Sequence, residues 1–372
     1  MSKAVVTDEK LPDLPPPSNT VGPVHWVKEN LLSSPGNIAL TIFAAWLIYM
    51  LVPGTLDWTI ISAVWAGGAD ACRANPEAAC WPFVWTKWEQ FIYGFYPAES
   101  RWRVDFAMLL LVVGIAYLMI EKTPGKRYMG LFMLVIYPII AWILLYGSVF
   151  GLEEVKTNKW GGFSLTLVIA LTGIVFSLPI GVVLALGRRS NMPAIRSICV
   201  VFIEFWRGVP LISVLFMSSV MLPLFLPEGV SFNDLLRALI GVALFSAAYM
   251  AEVVRGGLQA IPKGQYEGAD SLGLSYWQKM RLIILPQALK IVIPGIVNTF
   301  IGLFKDTTLV LIIGLLDLLG TVQAGIADPN WSIKSVPYTG YAFTALVFFI
   351  CCYGMSLYSR KIEEKLHTGH KR

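Results

Sequence analysis

The sequence predicts an all-α polytopic membrane protein with about eight transmembrane helices, and three observations carry that prediction. Hydrophobic residues make up 56% of the 372 and charged residues only 14%, with a mean hydropathy of +0.65. A soluble domain carries about 25% charge. The apolar residues fall in blocks of the ~20 residues that a helix needs to cross a hydrocarbon core ~30 Å thick. The blocks are continuous rather than alternating, which excludes barrel strands and leaves helices to satisfy the backbone in lipid.

In chain order, residues 1–37 read as a disordered cytoplasmic tail. Pro12, Pro15, Pro16, Pro17 and Pro23 stand there without the apolar core of a cleaved signal peptide. Apolar blocks follow at 38–60, 105–121, 129–150, 163–187, 198–222, 236–255, 286–312 and 338–359. Pro53-Gly54 interrupts the first block, which is either one kinked span or a span of 16 residues followed by an interfacial helix. Residues 314–327 are apolar enough for a re-entrant or interfacial piece. Nothing repeats with a period of 20–50 residues, so the chain is not a solenoid.

Basic residues orient the spans. Nineteen Lys and Arg fall on the side of the termini, in the tails and in the loops with Lys122, Lys126 and Arg127, with Arg188, Arg189 and Arg196, and from Arg255 to Lys290. Eight fall on the other side, and Arg207 and Lys305 stand within spans. That asymmetry predicts that both termini are cytoplasmic. The long loop at 67–104 is then outside the cytoplasm, where Cys72 and Cys80 either form a disulfide or are small residues in a Trp-rich cap with Trp81, Trp85, Trp88 and Trp102.

Motifs of soluble enzymes are missing, and no catalytic residue is expected. Gly125-Lys126 suggests a phosphate loop, yet Ile120 stands where a Gly is required and Arg127 where a Ser or Thr is required. ATP hydrolysis by this chain is therefore not expected. His25, His367 and His370 lie in the two tails without metal-ligand spacing, so no metal is expected either.

The informative stretch is Ile261 to Gln278. Pro262 suits a first helical turn, Gly273 suits a left-handed terminating position, and Ser275 with Gln278 makes a capping box for a second helix. Tyr266, Ala269 and Leu272 make an apolar stripe on an otherwise polar short helix. Such a helix lies in the lipid interface or docks on a partner.

Glu267, Ala269 and Gly273, then nine residues, then Ile283, Leu285 and Pro286 resemble the EAA signature of permease subunits in bacterial ATP-binding-cassette importers, with Gly268 in place of the first Ala. Gly161 to Leu167, Arg207-Gly208-Val209-Pro210 and Lys305-Asp306-Thr307-Thr308-Leu309 resemble segments of the polar amino-acid permeases, with Val209 and Thr308 departing from the family pattern. The resemblance covers residues 160–365 as a five-helix importer-type permease core, with a coupling loop at 261–286. Residues 38–159 are then an N-terminal extension with three transmembrane helices and a long periplasmic loop, and 366–372 a C-terminal tail. The whole layout is most like the larger permease of the general L-amino-acid importer.

The resemblance implies an ATPase contact through Lys263, Gln265, Tyr266, Glu267, Ala269, Leu272 and Gly273. It also implies an ATPase dimer holding ATP and Mg, a second homologous permease, a periplasmic amino-acid-binding protein and an amino-acid substrate. No cofactor is expected in this chain and no nucleic-acid partner. Charges at a bilayer centre normally face a cavity or a partner. Glu204, Arg207, Asn298, Thr299, Lys305, Asp306 and Thr308 are therefore candidates for a substrate path, because a zwitterion needs a cation and an acceptor. Glu204 with Arg207, and Lys305 with Asp306, are alternatively structural ion pairs. Two other classes remain open: an ion-coupled secondary transporter, which needs no coupling loop, and a membrane scaffold or sensor, which needs no charged core.

Overall fold

The computed structural model describes residues 22–120, 122–225, 227 and 232–367. The chain divides into two compact units between Ala63 and Val64. In the first, Pro23–Asn30 is a helix with proline in its first turn and Lys28 in its last, both favourable positions. The tail expected to be disordered through 37 is thus helical over Pro23–Asn30 and again from Pro35, and 1–21 lies outside the described residues. Helix α1, Pro35–Ile61, is capped by Ser34, whose hydroxyl accepts from the Asn37 N–H at 3.2 Å. It runs on through Pro53 and only widens over Asp57–Ile61, so there is no 16-residue span with a separate interfacial helix. None of its residues is buried, and a helix apolar all round suits lipid.

The second unit holds α2 (Ala98–Met119), α3 (Lys126–Tyr146), α4 (Gly162–Arg188), α5 (Pro193–Gly208), α6 (Leu211–Phe225), α7 (Asp234–Ala260), α8 (Lys263–Ser271), α9 (Ile293–Ile313), α10 (Leu318–Ile326) and α11 (Val336–His367). Among the described residues seven helices are long and apolar enough to cross a membrane, and α5 with α6 makes an eighth as a pair bent by 103°. The block at 198–222 is therefore not one straight helix. Pro210 has no N–H for the ladder, and Val209 before it is extended at φ −109° and ψ 133°. The block at 286–312 is likewise divided: residues 276–291 form their own helix, Val292 breaks it, and α9 starts with Pro294 in its first turn.

The core is built on small residues. Helix α7 buries Ala238, Ala243, Ala247, Ala248 and Ala251, which lets α4 approach closely. A Cβ at Gly181 of α4 would stand 2.8 Å from the Met250 side chain and 3.0 Å from the Ala251 nitrogen, so only glycine fits there.

Residues 64–159 belong to the same compact unit as the helices that follow. Cys72 and Cys80 are joined by a disulfide. Just after it, Phe83 and Phe91 are fully buried with Leu318, Val322, Trp331 and Phe343, so the aromatic cap packs on α10 and α11. Trp81, Trp85 and Trp88 form a run of ring contacts at 6.5 and 6.3 Å that continues to Phe343. The apolar piece at 314–327 becomes the buried α10. Its N-terminus is capped by Asp317, which accepts from the Gly320 N–H at 2.9 Å. Burial pushes the Asp317 carboxyl up to about 6, against the lowering effect of the Gly320 and Leu319 backbone N–H groups.

Candidate functional site

Helix α8 begins after Pro262, which is the capping residue rather than part of the first turn. It ends in a Schellman turn. Gly273 sits at φ +68°, the Leu274 N–H donates to the Ala269 carbonyl at 3.3 Å, and the Gly273 N–H donates to Asp270 at 2.9 Å. The next helix starts at once on the capping box of Ser275 and Gln278, with both reciprocal bonds present. These local signals fold the loop as the residues dictate.

The apolar stripe is the exception. Ala269 is buried and Tyr266 half-buried against the core, but Leu272 is 74% exposed. Two steps of three residues slip about 120° around a helix of 3.6 residues per turn, so the third member leaves the face of the first. Tyr266 is held inward: its hydroxyl donates to the Leu258 carbonyl at 3.1 Å and accepts from Arg189 at 3.0 Å, with the guanidinium 5.5 Å from the ring. Gln265 accepts from Gln287 at 3.1 Å, and Asp270 is paired with Lys279. The loop is therefore tethered at three places. Its outer surface carries Lys263, Gln265, Glu267, Asp270 and Leu272, with Tyr276 and Trp277 beside them. Arg189, Lys279 and Gln287 were not legible as tethers, since their partners lie 9 or more residues away.

The charged residues of α5 join a larger cluster. Arg188 at the end of α4 lies 2.8 Å from both Glu204 and Glu252, and Arg255 donates to Glu252 at 2.6 and 3.0 Å. Arg207 is more distant, 3.9 Å from Glu204 and 3.7 Å from Glu252, and sits 5.8 Å from the Tyr249 ring. Glu204 and Arg207 thus do not simply pair with each other. Three guanidinium groups share two carboxylates, leaving one positive charge in excess, and Glu252, with 15% of its side chain exposed, is the centre. Glu252 and Arg255 stand three residues apart on α7, a spacing that could have been recognised in the sequence as a pair.

The residues on α9 stay separate. No hydrogen bond or ion pair among the described residues links Asn298, Lys305 or Asp306 to Glu204 or Arg207. Lys305 and Asp306 form no ion pair, because consecutive helical residues diverge. The Thr299 and Thr308 hydroxyls donate to the carbonyls of Gly295 and Lys305 at 2.9 and 3.0 Å. Asn298 and Lys305 are exposed on one face, seven residues apart, and make no side-chain hydrogen bond or ion pair among the described residues. Among the described residues no group of three or more His, Cys, Asp or Glu could hold a metal ion.

Residues 177–366 match the family described as binding-protein-dependent transport system inner membrane component. The chain is 53% identical over 361 residues to the inner membrane amino-acid ABC transporter permease protein YhdY of Escherichia coli K12, over 96% of this chain and 97% of that one. It is 41% identical over 434 residues to the glutamate/glutamine/aspartate/asparagine transport system permease protein BztC of Rhodobacter capsulatus, over 98% and 99% of the two chains. The probable glutamine ABC transporter permease protein GlnP of Bacillus subtilis is 33% identical over 211 residues, 57% of this chain and 94% of its own. A crystal structure of an amino acid ABC transporter with histidines overlaps 54% of this chain and 90% of its own, at 31% identity and a TM-score of 0.46.

Proposed function

The chain belongs to the inner-membrane components of binding-protein-dependent transport systems, and we propose that it is the permease subunit of an ATP-driven importer that carries L-amino acids into the cytoplasm. The observation that carries this reading is the α8 loop. A nine-residue helix is closed at its end by two consecutive local stop and start signals, is tied at three points to α7 and to the 276–291 helix that follows it, and leaves a polar surface outward with Leu272 exposed beside it. A rigid, outward-facing helix between two spans suits the transmission of a push from a partner, and the resemblance to the EAA pattern supports an ATPase as that partner. Full-length similarity to amino-acid permeases supports the substrate class.

On this reading ATP and Mg bind to a separate ATPase dimer, a second homologous permease completes the pathway, and a periplasmic protein delivers the amino acid. Both termini face the cytoplasm, from the distribution of Lys and Arg. The polar ends of Asn298 and Lys305, with the excess positive charge around Glu204 and Arg207, offer a zwitterion its two kinds of contact. The test is purification in mild detergent followed by reconstitution. An ATPase, a second permease and a binding protein are expected to co-purify, and uptake is expected to stop with vanadate and to persist with a proton uncoupler. Uptake by the chain alone that collapses with the uncoupler would overturn the reading in favour of a secondary transporter. Two copies of this chain without a second permease would overturn the heterodimer.

A further inference from the structure

Behind the α8 loop lies a second charged feature. A cleft of about 510 Å³ opens where the end of α4, the start of α5 and the end of α7 meet, and Arg188, Arg189, Arg196 and Arg255 all line it, with Asn191 and Gln259. No carboxylate is among its lining residues. Arg188 and Arg255 are held from behind by Glu204 and Glu252, and Arg189 by Leu258 and Tyr266, but a guanidinium has five N–H donors and each keeps some free. Arg196 has no ion pair or side-chain hydrogen bond among the described residues. Glu204 and Glu252 offset part of this charge, but the four guanidinium groups face the open space while no carboxylate lines it, which makes it a good receptor for a phosphate.

We propose that this cleft binds the phosphate of an anionic phospholipid headgroup. Its depth favours lipid over a free anion. Helices α4 and α7 each have 27 residues. That makes them about 40 Å long against a hydrocarbon core of ~30 Å, so Arg188 and Gln259, at or next to their last residues, fall at the headgroup level. Helix α5, which contributes Arg196, turns Ile198 and Val201 outward at 70% and 67% exposure, an apolar surface suited to acyl chains. Basic pockets between spans on the cytoplasmic side attract anionic headgroups. The assignment to that side rests on the importer reading. Because Arg189 also holds Tyr266, a bound headgroup would bear directly on the α8 loop.

The test is native mass spectrometry of the complex released from nanodiscs of phosphatidylcholine mixed with phosphatidylglycerol. Binding is read without ATP hydrolysis or uptake, so its failure is distinguishable from failure of the importer reading. A phosphatidylglycerol adduct is expected on the wild type and on Arg196→Lys. In Arg196→Glu its occupancy should fall on the order of tenfold, since each basic group near an anionic headgroup is worth about 1 kcal/mol. Arg281→Gln, an exposed arginine outside the cleft, should keep it. Equal loss in Arg281→Gln and Arg196→Glu, or no adduct at all, would overturn the proposal. Displacement by inorganic phosphate alone would assign the cleft to a free anion, and retention of a protein chain instead of lipid would assign it to a partner. Either result would also overturn it.

Discussion

The α8 loop and the arginine–glutamate cluster meet at Arg188 and Arg189, yet they are held in opposite ways. In the loop each tether has its own partner: Tyr266 with Leu258, Gln265 with Gln287, Asp270 with Lys279. In the cluster Arg188, Arg207 and Arg255 share Glu204 and Glu252. Separate tethers make a part whose contributions add, so it can be loosened by degrees. A shared carboxylate makes one whose members stand or fall together.

The largest effect follows from that sharing. Glu252→Gln removes the anion that all three arginines approach, in a place where only 15% of the side chain is exposed. Breaking a buried pair from one side costs about 3–5 kcal/mol. The expected result is a marked loss of detergent-extracted protein surviving a thermal melt. Glu204→Gln should cost much less, because half of that side chain is exposed and water screens what remains. Equal losses would show that the cluster has no centre.

Gly273→Val comes next and acts on the loop. A β-branched residue at φ +68° costs about 1–2 kcal/mol or deforms the Schellman turn. Nothing lies within 4 Å of an added Cβ, so the effect is purely conformational. On the importer reading, uptake should fall while membrane abundance stays near wild type. Normal uptake would count against the loop as the coupling element.

The same two regions show what a sequence reveals. The Schellman turn at Gly273 and the capping box at Ser275 and Gln278 depend on residues within five positions of one another, and both were legible. The third member of the apolar stripe misled because spacing by threes drifts around a helix, leaving Leu272 outside. Arg188 with Glu252 is 64 residues apart and Arg189 with Tyr266 is 77, and no local pattern reports such pairs. The same holds for Phe83 and Phe91, whose burial on α10 and α11 joins the extension to the core.

A smaller effect sharpens the contrast. Tyr266→Phe removes one donor and one acceptor from the loop, and Gln287→Ala removes the bond to Gln265. Each should cost about 1 kcal/mol. Their partners are different, so the double variant should equal the sum within about 0.5 kcal/mol. A double-mutant cycle on the thermal unfolding of the purified complex measures this. Strong coupling would mean that the loop, too, is one unit.

The smallest effect distinguishes polar atoms that are free from those already used. Thr299 and Thr308 donate to carbonyls of their own helix one turn back, at Gly295 and Lys305. Removing either hydroxyl leaves an exposed or half-exposed carbonyl that water can satisfy, so Thr299→Val and Thr308→Val should change uptake little. Asn298 and Lys305 lie on the exposed face of α9 and make no side-chain hydrogen bond or ion pair among the described residues. If that face lines the substrate path, Lys305→Gln and Asn298→Ala should reduce uptake of an acidic, a basic and a neutral amino acid by similar factors, since all three share the same head group. Abundance should stay unchanged, because neither side chain has a hydrogen-bond or ion-pair partner among the described residues. A reduction confined to the acidic substrate would mean that Lys305 reads side chains, and a threonine effect as large as the lysine effect would remove the distinction between free and used groups.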